Sequence, residues 1–161
     1  LTGFPSETPA EIPATTPRVF AFKKSPFVNS LDARAAAGLI DAIRTAPTPL
    51  CRIDFQQCGG ALSDVSPTAT AFWNRDFQWS CPIIGGYTDV GKERETSMTW
   101  ARQTAHLLAP YTLGTYSVEI TPGLPETASE VKQAFGENLA RLGALKRKWD
   151  PENLFRLYYP I

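Results

Sequence analysis

The sequence has few of the residues from which metal sites and self-sufficient catalytic sites are built. His106 is the single histidine, and the three cysteines show no CxxC or Cys/His spacing for zinc. There is also no GxSxG, no glycine-rich phosphate loop at a strand–helix junction and no HExxH. We therefore predict no metal centre, a surface or half-buried His106, and buried reduced thiols at Cys51, Cys58 and Cys81.

An excess of charge of either sign and long apolar runs are also missing. Lys+Arg and Asp+Glu number 16 each, so nothing in the composition favours a nucleic-acid partner or an acidic tail. No apolar run approaches the roughly 18 residues that span a bilayer, and no signal-peptide pattern is visible. We expect a soluble chain without a membrane partner, and the sequence favours no particular location in the cell.

The chain divides by composition into an arm, a domain and a C-terminal segment. Residues 1–17 carry prolines at regular intervals and cannot form a helix or a central strand, so we predict an extended arm or linker. Residues 18–125 are predicted to form an α+β domain. Residues 126–161 are predicted to form a C-terminal helix and a tail.

Strand and helix patterns alternate after Arg18. Strands are predicted in RVFAF, LCRIDFQQ, DFQWSCPII and GTYSVEI, and helices in NSLDARAAAGLIDAIR and DVGKERETSMTWARQTAHLLAP. Ser30 or Asp32 can cap the first helix. The order matches the ferredoxin-like βαββαβ arrangement, an antiparallel sheet with helices on one face. The other face is then free to bind a partner or ligand.

Several local signals refine this prediction. A capping box, Thr127-x-x-Glu130, opens a last helix that runs to Trp149, with Glu137 and Arg141 as a possible ion pair. Leu139, Leu142, Leu145 and Trp149 form its apolar face. Pro82 restricts its strand to an edge, an end or a bulge. Gly59-Gly60 and Gly85-Gly86 follow predicted strands and open no helix, so we interpret both pairs as turns.

Two strands carry candidate site residues. In DFQWSCPII, Phe77, Trp79, Cys81 and Ile83 form a predicted core face, whereas Gln78, Ser80, Pro82 and Ile84 face a ligand or solvent. In GTYSVEI, Ser117 and Glu119 alternate with Tyr116, Val118 and Ile120. A carboxylate in mid-strand is ordinarily solvated. Glu119 becomes a general-base candidate only if something covers its face.

The C-terminal stretch AFGENLARLGALKRKWDPENLFRLYYPI resembles the end of the berberine-bridge-enzyme-like branch of FAD-linked oxidases. That branch ends in Y-F/Y-G-x-N-x-x-R-L-x-x-V-K-x-x-x-D-P-x-N-x-F-R. The residues that fall on this pattern are Phe135, Gly136, Asn138, Arg141, Leu142, Lys146, Asp150, Pro151, Asn153, Phe155 and Arg156. FAFKKSPFVNSLDARAAAGLIDAI, RIDFQQCGGALSDVSPTATAFWNRDFQW and GTYSVEI are similar to upstream stretches of the same family, so the likeness extends over residues 20–161.

The resemblance implies an FAD-dependent function and a missing partner. In that family an N-terminal domain holds most of the FAD, and a second domain covers the isoalloxazine ring with an antiparallel sheet and forms the substrate pocket. The C-terminal segment returns to the flavin domain. By this resemblance, residues 18–125 are the substrate-binding domain and residues 126–161 the helix and return segment. The flavin-binding domain would be the partner, and we do not expect this chain alone to be active.

The resemblance also implies roles for individual residues. Glu119 stands where the family has an active-site Tyr or His, and it becomes the candidate base. Val118 replaces the Asn of A-Y-x-N-Y, and Pro82 or a direct neighbour falls where many members carry Gln or Glu. Gln78, Ser80 and Ser117 would line the substrate pocket, and Tyr116 and Asn153 would support the flavin side. These departures are equally compatible with a different substrate or with lost oxidase activity.

A function of another class stays open. The chain could be a stand-alone ferredoxin-like module that uses its free sheet face to bind a small molecule or to form a homodimer. The missing flavin domain and the altered A-Y-x-N-Y strand favour this alternative. The C-terminal motif counts against it, because a module without a flavin partner has no evident use for a return segment.

Overall fold

The computed structural model describes residues 18–156. The predicted proline-rich arm, residues 1–17, lies outside this part, as do residues 157–161. The strands are β1 (Phe20–Lys24), β2 (Pro26–Val28), β3 (Arg52–Ile53), β4 (Gln56–Gln57), β5 (Trp79–Ser80), β6 (Ile83–Tyr87) and β7 (Thr112–Thr115). The helices are α1 (Ala33–Arg44), α2 (Lys92–Leu107), α3 (Thr127–Phe135) and α4 (Asn138–Trp149).

The strands form two antiparallel sheets, and the two halves of each interrupted strand have equivalent neighbours in the two sheets. Their orders are β1-β6-β3 and β4-β5-β2-β7. The strands predicted in LCRIDFQQ and DFQWSCPII are interrupted at residues 54–55 and 81–82. The strand predicted in RVFAF extends to Lys24 and, after a break at Ser25, continues as β2, so there are three pairs of short strands. Backbone bonds continue across the breaks, since Cys81 N donates to Pro26 O at 3.0 Å and Asp54 N to Pro82 O at 2.8 Å. The α+β class with antiparallel pairing is confirmed, and Pro82 lies at a strand break.

The main core lies between the first sheet and helices α1 and α2. Its buried members are Phe22, Leu39, Cys51, Cys81, Ile83, Tyr87, Trp100, Ala101 and Leu108. The turn predicted at Gly85-Gly86 is wrong, because both glycines lie inside β6. A Cβ atom at Gly85 would lie 2.3 Å from Ser97 O of α2, and one at Gly86 would lie 2.6 Å from Leu50 O. The glycines therefore allow close packing on both sides of β6.

Helices α1 and α2 follow the sequence prediction closely. Asp32 is the N-cap of α1, and its Oδ1 accepts from Ala35 N at 2.8 Å. This bond, with a second one from the Tyr111 hydroxyl, lowers the pKa of Asp32. Ala35 and Leu39 of α1 are buried, whereas Ile43 is exposed. On α2, His106 is predicted at the surface or half-buried, and it is exposed.

The predicted long C-terminal helix is two helices. Gly136 ends α3 with φ 48°, a left-handed conformation that favours glycine. The predicted capping box is wrong, because Thr127 is the first residue of α3 and its Oγ1 donates to Thr121 O at 2.8 Å. Arg141 does not pair with Glu137, since its Nη1 donates to Thr68 O at 3.2 Å.

The loop before β5 closes one end of the sheet. Asn74 Nδ2 donates to Gln133 O at 3.1 Å and to Ala134 O at 3.2 Å, at the end of α3. Asn138 Nδ2 donates to Pro67 O at 2.7 Å, at the start of α4. The loop thereby ties both C-terminal helices to the domain.

Candidate functional site

Lys23 and Lys24 are neighbours in β1 whose side chains lie on opposite faces of the sheet, because successive residues of a strand alternate. Lys24 lies on the helix side, with its Nζ 4.9 Å from the centre of the Phe22 ring. Lys23 lies on the other side. There Lys23, Ile84 and Arg52 lie side by side across three strands, because Ile84 of β6 pairs directly with Lys23 of β1 and with Arg52 of β3. We call this side of the sheet the open face.

Glu119 is held on the open face by Lys23 of β1 and by Ser25, at the break between β1 and β2. Lys23 Nζ donates to Glu119 Oε1 at 3.0 Å, and Ser25 Oγ donates to Glu119 Oε2. The Glu119 side chain is only 16% exposed. Each carboxylate oxygen therefore has its own donor, one charged and one neutral.

The strand predicted over residues 114–120 is wrong beyond Thr115. β7 ends there, and Ser117–Glu119 form one turn of 3₁₀ helix. Tyr116 N still donates to Ser25 O at 3.0 Å, so the chain leaves the sheet directly after this bond. Ser117 and Glu119 consequently do not alternate with Val118 as they would in a strand.

Tyr116 and Ser117 lie in the same segment as Glu119. The Tyr116 ring is exposed and lies at a tilt against Phe27, with the ring centres 6.3 Å apart. Ser117 is half-buried. The structure thus brings three of the predicted site residues together in four consecutive positions.

Gln78 and Ser80 lie on the far side of β2 from this segment. Ser80 of β5 is the direct partner of Phe27 and is buried. Gln78 precedes β5 and is exposed, and its backbone N donates to Asn29 Oδ1 at 2.9 Å. Since β2 lies between β5 and β7, two inter-strand spacings, about 10 Å, separate β5 from β7.

Asn153 lies in the turn after α4, outside the sheet. It is exposed and has φ 52°. Asp150 is the residue whose side chain organises this turn, since its Oδ1 accepts from Leu154 N at 2.7 Å and its Oδ2 from Phe155 N at 3.0 Å. A bond from Lys146 Nζ is the largest of the contributions that lower the pKa of Asp150. The turn that carries Asn153 is therefore organised by Asp150.

A second charged cluster lies on the helix side, beneath a cavity of about 530 Å³ between α2, α3 and β7. Lys24 Nζ lies 3.0 Å from Glu126 Oε1 and 2.6 Å from Glu130 Oε1. Arg102 Nε donates to the same Glu126 oxygen at 2.7 Å. No sequence pattern reveals this cluster, because its members are up to 106 residues apart.

The thiols show no sign of activation. All three cysteines are free, and Cys51 and Cys81 are buried as predicted, whereas Cys58 is half-buried. Burial, followed by the charge of Asp54, raises the pKa of Cys81 to about 12. Within residues 18–156, no three His, Cys, Asp or Glu side chains converge as metal ligands would. In the same part of the chain, no helix combines the length and apolar character needed to cross a bilayer.

Comparison with known proteins places this arrangement in a family. Residues 122–161 match the family model described as berberine and berberine like. The chain is 31% identical over 135 residues to YgaK of Bacillus subtilis strain 168, an uncharacterized FAD-linked oxidoreductase, and the match covers 81% of this chain and 28% of YgaK. The chain is a homologue of the berberine-bridge-enzyme-like FAD-linked oxidoreductases. The family resemblance stated from the sequence is thereby confirmed.

Two solved structures share the fold. BBE-like 1 of Physcomitrella patens has a TM-score of 0.73 at 24% identity, over 93% of this chain and 32% of that protein. GilR, described as an oxidoreductase of the terminal step of gilvocarcin biosynthesis, has a TM-score of 0.75 at 20% identity, over 86% of this chain and 32% of GilR. This berberine-like chain thus spans about a third or less of the length of these relatives.

Proposed function

We propose that this chain is the substrate-binding and C-terminal part of an FAD-dependent oxidoreductase, in which Glu119 takes the proton that the substrate loses on oxidation. When bound, FAD would accept the hydride and be reoxidised by oxygen. The observation that carries the proposal is the fixed position of the Glu119 carboxylate on the face opposite α2. The homology to FAD-linked oxidoreductases supports FAD as the group that accepts the electrons.

The residues present fit one side of a flat ring better than a whole dinucleotide. The exposed Tyr116 ring lies three residues before Glu119, at the border of the open face. Gly59 and Gly60 open a short 3₁₀ turn and not an α-helix, so they build no helix N-terminus for a phosphate. We infer that Tyr116 and Asn153 contact FAD from one side, and that a separate flavin-binding domain holds its phosphates.

The predicted site residues have distinct proposed tasks. Glu119 holds the proton after the transfer. Ser117 lies two positions earlier in the same turn, where its hydroxyl can orient a small-molecule substrate. Gln78 and Ser80 would contact the part of the substrate that extends across β2. A polar lining of this kind orients the reacting bond, and orientation contributes strongly to rate.

Replacing Glu119 by Gln in the intact protein tests the proposal. Gln keeps the size of the side chain but cannot take a proton. We expect the rate of flavin reduction by substrate, measured anaerobically in a stopped-flow instrument, to fall by about a hundredfold or more. Glu137→Gln, at an exposed position before α4, is the matched control and should leave the rate unchanged. Equal rates in both variants would remove Glu119 from the mechanism.

The C-terminal part supplies the proposed contact with the flavin domain. Trp149, Leu154 and Phe155 are each at least 70% exposed, an unusual degree for large apolar side chains that lie within seven residues of one another. The lysines and arginine of the last turn of α4, Lys146, Arg147 and Lys148, add positive charge beside them. We infer that this end of α4 packs on the flavin-binding domain.

A further inference from the structure

Glu119 is held by contacts that are remote in sequence. Its two donors, Lys23 and Ser25, are 96 and 94 residues away. Lys23 lies in β1, and Ser25 lies at the break between β1 and β2. Their bonds to the same carboxylate place both side chains beside Glu119, one at each oxygen.

The turn that carries Glu119 restrains the carboxylate weakly by itself. Its backbone bonds run from Glu119 N to Tyr116 O at 3.3 Å and from Ile120 N to Ser117 O at 3.4 Å. Both exceed the usual range for N–H···O bonds. Val118, in the middle of the turn, is 73% exposed and has little packing around it. Ile120 is buried and fixes the end of the turn, but its burial does not orient the Glu119 side chain.

These contacts differ from an ordinary surface ion pair, which contributes little because two mobile side chains must be ordered in water. Ser25 is buried and has a short side chain, so its hydroxyl is already ordered by the sheet. Glu119 is largely shielded from solvent. Lys23 is 40% exposed and adds the charged donor. A shielded carboxylate with one buried donor and one charged donor has few orientations open to it.

We propose that Lys23 and Ser25 are positioning residues that hold the Glu119 carboxylate and its turn on the open face. The catalytic consequence of this holding rests on the proposed function, whereas the holding itself does not. Lys23 would orient Oε1 and Ser25 would orient Oε2. The remaining lone pairs of the two oxygens then point in fixed directions, as acceptance of a proton from an oriented substrate requires.

Hydrogen exchange of the intact protein tests the holding without any catalysis. The variants are Lys23→Met, which keeps the aliphatic stem, and Ser25→Ala, which removes only the hydroxyl. We expect the amides of residues 117–120 to exchange about tenfold faster in each, the effect of losing one charge-assisted hydrogen bond. Arg52→Met is the matched control, because Arg52 lies on the same face but pairs with Asp54 at 3.1 Å. Unchanged exchange in both Lys23→Met and Ser25→Ala would overturn the proposal.

Flavin reduction measured with the same variants tests the consequence. We expect Lys23→Met and Ser25→Ala to slow the step on the order of tenfold, Lys23→Arg to recover most of the loss, and Arg52→Met to have no effect. Added to Glu119→Gln, Lys23→Met should cause no further loss, because Lys23 acts through Glu119. A full additional loss in that double variant would contradict the positioning role.

The two measurements separate the two hypotheses. Faster exchange in Lys23→Met together with an unaffected Glu119→Gln rate would leave the holding intact and remove Glu119 as the base. The opposite result is slow flavin reduction in Glu119→Gln with normal exchange and a normal rate in Lys23→Met. That result would support Glu119 as the base and overturn the positioning role of Lys23.

Discussion

At the scale of single residues, Lys24 is the charge whose surroundings are most demanding. It is buried beside Phe22 and contacts the carboxylates of Glu126 and Glu130. A buried ammonium is tolerated only when it is paired. Since β1 supplies the lysine and α3 the carboxylates, the pairing requires α3 to lie against the sheet.

The charge on Glu126 gives this cluster a defined pH dependence. Burial alone would raise the pKa of Glu126, but hydrogen bonds from Arg102, from its own backbone amide and from Lys24 lower it to about 2, from an ordinary 4.5. The unfolded chain therefore binds this proton first as the pH falls. The stabilisation is complete above about pH 4.5 and is lost as the pH falls towards 2.

We expect the unsubstituted protein to melt at a higher temperature than the Glu126→Gln variant at pH 6. The difference between the two melting temperatures should shrink as the pH is lowered to 3. Thermal unfolding followed by circular dichroism at a series of pH values measures this. Glu137→Gln, which removes an exposed carboxylate, provides the baseline. A difference that stays constant over this range would show that the pairing of Glu126 is not linked to its protonation.

The sequence identifies Glu119 as a candidate but does not identify its partners. The residue type and the family pattern point to position 119, whereas Lys23 and Ser25 lie 96 and 94 residues before it. The short polar strand segment around Ser25 has no pattern that signals a role. Only the pairing of the strands brings these groups together, and single-sequence periodicity does not encode that pairing.

At the scale of elements, local signals predict what local bonds decide. The start of α1 is predicted because Asp32 caps it through a bond to a residue three positions away. The capping box at Thr127 fails for the opposite reason, since the Glu130 side chain contacts Lys24, 106 residues away. Similarly, a glycine within an apolar pattern gives no sign that the helix ends there. Helix α3 nevertheless ends at Gly136.

The break between α3 and α4 can be tested with two glycines of different surroundings. Gly136 has φ 48°, and a Cβ there would lie 2.3 Å from ring atoms of Trp73. Gly123 has φ 76° and open space around it. We expect Gly123→Ala to cost about 1 kcal/mol of unfolding free energy from backbone strain. Gly136→Ala should cost about 2 kcal/mol or more, because overpacking is added.

Urea unfolding of the intact protein at equilibrium measures both costs. A Gly136→Ala variant no less stable than Gly123→Ala would mean that Trp73 moves aside without loss, and that the glycine serves only the turn.

At the scale of the whole molecule, the described part leaves apolar side chains uncovered where α4 ends. The face predicted for the last helix is half-buried at Leu139 and Leu142 but exposed at Leu145 and Trp149. Since the chain covers 28% of the length of YgaK, relatives of this family have ample additional chain to cover such a surface. The proposed flavin-binding domain is the partner that we expect there.

We therefore expect Trp149→Ser to destabilise the intact protein by about 2 kcal/mol, because large aromatic side chains dominate the energetics of interfaces. Val90→Ser, at another exposed apolar position that lies before α2, should change the stability little. Differential scanning calorimetry of the flavin-loaded protein compares the two variants. Equal melting temperatures would mean that the end of α4 faces solvent in the intact protein.

The adjacent lysines of β1 also bear on how the chain avoids misfolding. A slip of β1 by one residue would place Lys23 where Lys24 belongs, so an ammonium would still meet Glu126 and Glu130. Electrostatics would therefore oppose this error only through the loss of the partly exposed Lys23–Glu119 ion pair. The same slip would put Ala21 in place of Phe22 and expel an aromatic ring from the core, at a cost of about 2 kcal/mol. Burial of Phe22 thus selects the native register of β1. With a smaller side chain there, we expect the misregistered chain to be populated during folding.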